Sequence, residues 1–174
     1  MEKPPKLYHG SPDRNIEVFE PRISKGSGEA YGPLVYASPD LAISSAYLAD
    51  IPRRWSSGQF GDVPYALITV PRDEFIANDK GGCIYVLPTE TFEPDRGLGS
   101  AEWASTVPVK PVEKLEFPSA LDAMLDHGVQ VYFVTPEQHA QIRSSPDHGL
   151  STLNSMTSEN QSRGVNPKAL KESE

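Results

Sequence analysis

Residues 34–48 read LVYASPDLAISSAYL, a short apolar run followed at once by a helix start. Leu34 to Ala37 combine β-branched and aromatic residues, the composition of a strand. Ser38-Pro39-Asp40 then predicts a helix, with Ser38 as N-cap, Pro39 at the first helical position, where its missing N–H costs nothing, and Asp40 favourable to the helix dipole. The helix is expected to run to about Asp50. A strand feeding directly into a short helix sets the grain of the chain, and the flanking sequence repeats it. KLYHG (6–10) reads as a strand stopped at Ser11-Pro12, and PYALITVP (64–71), CIYVLP (83–88), WASTVPV (103–109) and VQVYFV (129–134) read as further strands. SALDAMLDHG (119–128) is a helix capped by Ser119 and ended by Gly128, and Thr135-Pro136-Glu137-Gln138 is a capping-box start for another. The expected class is α+β, strand-rich, with small helices.

Composition supports short elements. The 174 residues include 17 prolines, which break helices and remove donors from strand ladders. A single domain is expected over residues 1–145. Residues 146–174 lack aromatics and are rich in Ser, Asn and Glu, so they are expected to form a flexible polar tail.

Acids outnumber bases 24 to 16, a net charge of -8, which argues against nonspecific binding to nucleic acid or anionic membranes. No apolar stretch has the length of a membrane span, and the start, MEKPPKLYHG, has no hydrophobic signal region, so a cytoplasmic protein is expected. The one cysteine, Cys83, lies in an apolar run and reads as a small core residue. His9, His127, His139 and His148 show no metal-ligand spacing, and no metal is expected. GSGEAYG (26–32) places its glycines wrongly for a dinucleotide fingerprint, and no GxSxG elbow occurs.

A polar and aromatic set remains. His9 ends the first strand and is followed by Gly10, whose bare backbone lets a ligand approach closely. Tyr36 lies in the strand before the helix, and Ser44 and Tyr47, three residues apart, share a helix face. Each also has a plainer reading: His9 as a turn residue bonded to local backbone, Tyr36 as core, Ser44 and Tyr47 as a face packed on the sheet.

Taken in order, Tyr8-His9-Gly10, Gly32-Pro33-Leu34-Val35-Tyr36-Ala37 and Ser44-Ser45-Ala46-Tyr47 resemble the donor-binding half of ADP-ribosyltransferases of the diphtheria-toxin and poly(ADP-ribose) polymerase type, the H-Y-E class. Glu102-Trp103-Ala104-Ser105 resembles that family's third motif, a glutamate opening a late strand, with Glu90 and Glu93 as rivals. Pro33 departs from the family's more usual residue. The resemblance implies split antiparallel sheets with short helices and NAD as substrate. It implies a catalytic set of Glu102, His9 and Tyr36 and a donor-binding set of Gly10, Ser11, Tyr36, Ser44, Tyr47 and Arg22. In these roles His9 bonds a ribose hydroxyl, Gly10 and Ser44 hold the nicotinamide carboxamide, Tyr36 and Tyr47 sandwich the ring, and Glu102 contacts the nicotinamide ribose. Arg22, chosen over Arg14 and Lys25, would meet the pyrophosphate. A carboxylate suits this chemistry, because positive charge builds on the ribose as the glycosidic bond breaks.

The implied activity is transfer of ADP-ribose to an unknown protein or small-molecule acceptor, or NAD hydrolysis. A non-catalytic NAD- or ADP-ribose-binding module is the alternative. An RNA 2'-phosphotransferase would require a basic pocket and a second catalytic histidine. Acceptor choice is expected to lie in loops such as IPRRWSSGQFGDV (51–63), through Arg53, Arg54 and Trp55.

Overall fold

The computed structural model describes residues 2–23, 32–51, 54–94, 102–165 and 167–171. In chain order its elements are β1 (Leu7–Ser11), β2 (Val35–Ala37), α1 (Leu41–Ser45), β3 (Trp55–Phe60), β4 (Val63–Ile68), α2 (Arg72–Asn78), β5 (Gly82–Leu87), β6 (Glu93–Pro94), β7 (Trp103–Ser105), β8 (Glu113–Phe117), α3 (Ala120–Asp126), β9 (Gln130–Phe133), α4 (Pro136–Ser144) and α5 (Leu150–Ser162). The class is α+β, as the pattern of strand and helix signals predicts, with three small sheets. Among the described residues no helix is long and apolar enough to cross a membrane.

In place of one domain over 1–145, the chain divides into two compact units, Met1–Leu48 with Gly81–Pro118, and Ala49–Lys80 with Ser119–Glu174. The first unit holds two antiparallel sheets of order β1-β5-β8 and β2-β7-β6. They share one core of Leu7, Val35, Ala37, Cys83, Tyr85, Leu87, Phe92 and Trp103, closed by Phe19 and Val109. Strand β5 is central and buried throughout, which explains the unbroken apolar run around Cys83. Cys83 is a core residue, as its neighbours predicted, and burial pushes its thiol pKa up. Strand β8, EKLEF, is an edge strand with three exposed charged positions, so it lacks the apolar signature that revealed β5.

The second unit holds the sheet β3-β4-β9, in which β3 and β4 form a hairpin and β4 and β9 run parallel. The parallel pair departs from the all-antiparallel expectation. Its two strands are joined by a long connection rather than a tight turn, and parallel pairing requires such a crossover. Residues 55–60, expected within a loop, are strand β3, joined to β4 through Gly61-Asp62 with Gly61 at φ 56°. A two-residue turn opening on Gly is a hairpin signal.

The flexible tail expected over 146–174 is corrected. Helix α5 buries Leu153 and Met156 in a core with Tyr65, Leu67, Tyr132, Val134 and Ile142, and Leu170 joins them. Asn160, fully buried, accepts from the Phe133 N–H through Oδ1 at 2.9 Å and donates through Nδ2 to the Met156 carbonyl at 3.1 Å. Apolar residues at a three-residue spacing suffice to dock a helix whose other positions are polar.

Helix α1 starts later than predicted. Ser38 is bridged to Tyr8 and belongs to the sheet, and Asp40 is the N-cap, its carboxylate accepting from the Ala42 N–H at 2.8 Å. The helix tightens to a 3-10 turn over Ala46–Leu48, two residues short of the expected end. Ser119 and the Thr135/Gln138 capping box act as predicted.

Candidate active site

Every described residue of the predicted H-Y-E set lies in the first unit, so its geometry can be built from the strands of that unit. Tyr8 and Ser38 exchange two backbone bonds, Tyr8 N–H to Ser38 O at 2.7 Å and Ser38 N–H to Tyr8 O at 2.9 Å. In an antiparallel ladder alternate residues turn their peptide groups to the same side. Gly10 therefore presents its N–H and C=O to the β2 side, as Tyr8 does. Continued register would set Gly10 against Tyr36, but among the described residues Tyr8–Ser38 is the one bridge between β1 and this segment. At the next step the Tyr36 carbonyl accepts instead from the His9 ring, Nδ1 to O at 2.6 Å. The two sheets thus part at Gly10, and the peptide edge of that glycine borders the parting.

Helix α1 packs into the other side of the same glycine. The Ser44 hydroxyl, on a residue 2% exposed, donates to the Tyr8 carbonyl at 3.2 Å. A Cβ on Gly10 would overlap the Ser44 carbonyl oxygen and lie 3.2 Å from Tyr47 Cβ. Close crossing of β1 and α1 thus accounts for the glycine, and the space of the missing side chain belongs to Ser44, not to a ligand. What Gly10 can offer a ligand is its peptide edge.

His9 is held in one tautomer. A carbonyl can only accept, so Nδ1 carries the proton and in the neutral ring Nε2 is an acceptor. Burial lowers the His9 pKa from 6.5, and the Tyr36 carbonyl opposes this only in part. The ring rests on Phe19, with centroids 4.6 Å apart, and Phe19 in turn meets Tyr85 edge-on at 5.1 Å. Phe19 is fixed by a backbone bridge to Val109. It was not singled out in the sequence, because Phe19 stands in no strand pattern of its own.

Strands β2 and β7 place the remaining residues. Their register pairs Tyr36 with Ala104 and Ala37 with Trp103, and Glu102 directly precedes the first residue of β7. Residues two apart on a strand share a face, as do direct cross-strand partners. Tyr36 and Ala104 are accordingly on one face of this ribbon, and Glu102, at the entry to β7, is half-buried as they are. That face is half-buried, while Val35, Ala37, Trp103 and Ser105 point into the core. Tyr47 meets the carboxylate, its hydroxyl donating to Glu102 Oε1 at 3.5 Å. Burial, then the Glu102 charge and hydrogen bond, push the Tyr47 phenol up to about 12. It remains a donor at any ordinary pH, although 41% of the residue's surface is exposed.

No protein-family model, curated protein or solved structure matches the chain.

The structure thus joins His9 to Tyr36, Gly10 to Ser44 and Tyr47, and Tyr47 to Glu102. Two predicted residues take other contacts. The Ser11 hydroxyl accepts from the Asp13 N–H at 3.1 Å and shapes the turn after β1. Arg22 is bridged through its backbone to Leu34, two residues before Tyr36, and its side chain is exposed. Arg14 donates to the Phe117 carbonyl at 3.1 Å, at the end of β8, and Lys25 lies outside the described residues. Of the rival glutamates, Glu93 sits opposite Ala104 but is ion-paired with Lys3 at 3.7 Å, and the Glu90 carbonyl accepts from the same lysine. In the second unit Arg54 pairs with Glu74 at 3.2 Å, and Arg53 lies outside the described residues. Among the described residues no cluster of three or more His, Cys, Asp or Glu could hold a metal ion.

Proposed function

We propose that the first unit is an H-Y-E class ADP-ribosyltransferase-like domain that binds NAD at the parting of its two sheets and cleaves the nicotinamide glycosidic bond, passing ADP-ribose to an acceptor or to water. The observation that carries this reading is the hydrogen bond from the Tyr47 hydroxyl to Glu102 at the entry to β7, the strand that pairs with Tyr36, whose carbonyl in turn accepts from His9.

The donor set fits the parts of the substrate. An amide such as the nicotinamide carboxamide needs one acceptor and one donor side by side, which the peptide edge of Gly10 supplies. The bare Nε2 of His9 suits a ribose hydroxyl. The Tyr36 and Tyr47 rings offer faces to a flat cationic ring. Glu102 contributes negative charge where positive charge develops on the ribose. Arg22 is the remaining candidate for the pyrophosphate, beside peptide groups. NAD is an intracellular metabolite, so a cytoplasmic site of action goes with this reading.

The second reading, a module that binds NAD or ADP-ribose without turnover, is favoured by one feature: Glu102 is already engaged by Tyr47. Calorimetric titration with NAD, followed by chromatography of the mixture, separates the two. Binding with release of nicotinamide supports the transferase, binding without release leaves the module, and the absence of both refutes each.

A further inference from the structure

We propose that Tyr47 is a positioning residue for Glu102: its hydroxyl holds Oε1 of the carboxylate so that the other oxygen is directed to the substrate, a role separate from any contact its ring makes. The inference rests on the reading of Glu102 as the charge-stabilising group. Tyr47 belongs to the 3-10 turn that ends α1, between buried Ala46 and Leu48, which fix its backbone. A Cβ built on Gly10 would lie only 3.2 Å from Tyr47 Cβ, so the root of the tyrosine side chain packs close against β1. Glu102 comes from a different part of the chain, at the entry to β7. A carboxylate at the start of a three-residue strand gains definition from a donor anchored on a packed helix end. The phenol suits the task because it stays protonated: burial and the Glu102 charge both oppose its ionisation.

Tyr47→Phe tests the hydroxyl while keeping the ring. Because 41% of Tyr47 is exposed, the variant is expected to fold as wild type does. Under the proposal kcat for nicotinamide release falls roughly 10-fold, while KM for NAD stays within about twofold, since ring contacts persist. A Tyr47→Phe variant with unchanged kcat, or one in which KM alone rises, overturns the positioning role. A second measurement stands apart from turnover. Ring-carbon NMR of labelled tyrosine should show the Tyr47 phenol, raised by burial and by Glu102 in the wild type, titrating at lower pH in Glu102→Gln. An unchanged phenol titration overturns the pairing itself. If wild type releases no nicotinamide, the proposed reaction fails, and the phenol titration still decides whether Tyr47 holds Glu102.

Discussion

Gly10 and Ser44 approach so closely that the serine carbonyl oxygen occupies the place a side chain on residue 10 would take. The contact ties β1 to the end of α1 and sets where Tyr8, Tyr47 and the Gly10 peptide edge stand relative to one another. Gly10→Ala must push Ser44 and β1 apart, and the obstacle is backbone, which yields less readily than a flexible side-chain end. Overpacking of this kind costs about 1–3 kcal/mol. Urea denaturation should show that loss, and calorimetry should show weaker NAD binding. A variant as stable as wild type would mean that α1 relaxes easily and that the crossing is not a constraint.

The His9 pKa predicts a pH dependence of stability. Burial lowers the folded value below 6.5, so as pH falls the unfolded chain takes up its proton first. The contribution is fully present above about pH 6.5 and is lost as pH falls towards the lower folded value. His139, lowered by burial and then by Arg143, acts in the same direction. The urea midpoint should therefore fall between about pH 7 and pH 5, and His9→Asn should show a shallower fall. Equal slopes for the two proteins would contradict the burial of His9.

How far the sequence revealed this arrangement depended on where each residue is buried. His9, Tyr36, Ser44 and Tyr47 were legible because they sit at the ends of β1, β2 and α1, which announce themselves through apolar runs and turn residues. Strands β3 and β8 were not legible, because edge strands exposed to water carry polar residues such as Ser56, Ser57, Lys114 and Glu116. The start of α1 was displaced from Ser38 to Asp40 because a tertiary contact, the bridge to Tyr8, holds Ser38 in the sheet. No local propensity encodes such a contact. In α5 the spacing of Leu150, Leu153 and Met156 was a signal, masked by the Ser, Thr and Asn residues around it. The buried Asn160 hid it further, since a polar residue stands at a core position.

That asparagine gives a direct test of the docked C-terminal helix. Asn160→Leu removes the acceptor of the Phe133 N–H and leaves a buried donor without its partner. The cost is about 1–3 kcal/mol, read as a lower urea midpoint with an unchanged dependence on denaturant. A variant of wild-type stability would show that α5 does not seal the end of β9.

The proposed chemistry rests on Glu102, and the rate of nicotinamide release from NAD by wild type and Glu102→Gln, at equal saturation with NAD, measures it. Loss of the carboxylate charge should slow release by about 10²–10³-fold, the scale of removing one group that stabilises developing charge, with NAD binding held within about twofold. Release by Glu102→Gln at the wild-type rate, or NAD bound by the wild type without any release, would contradict the account.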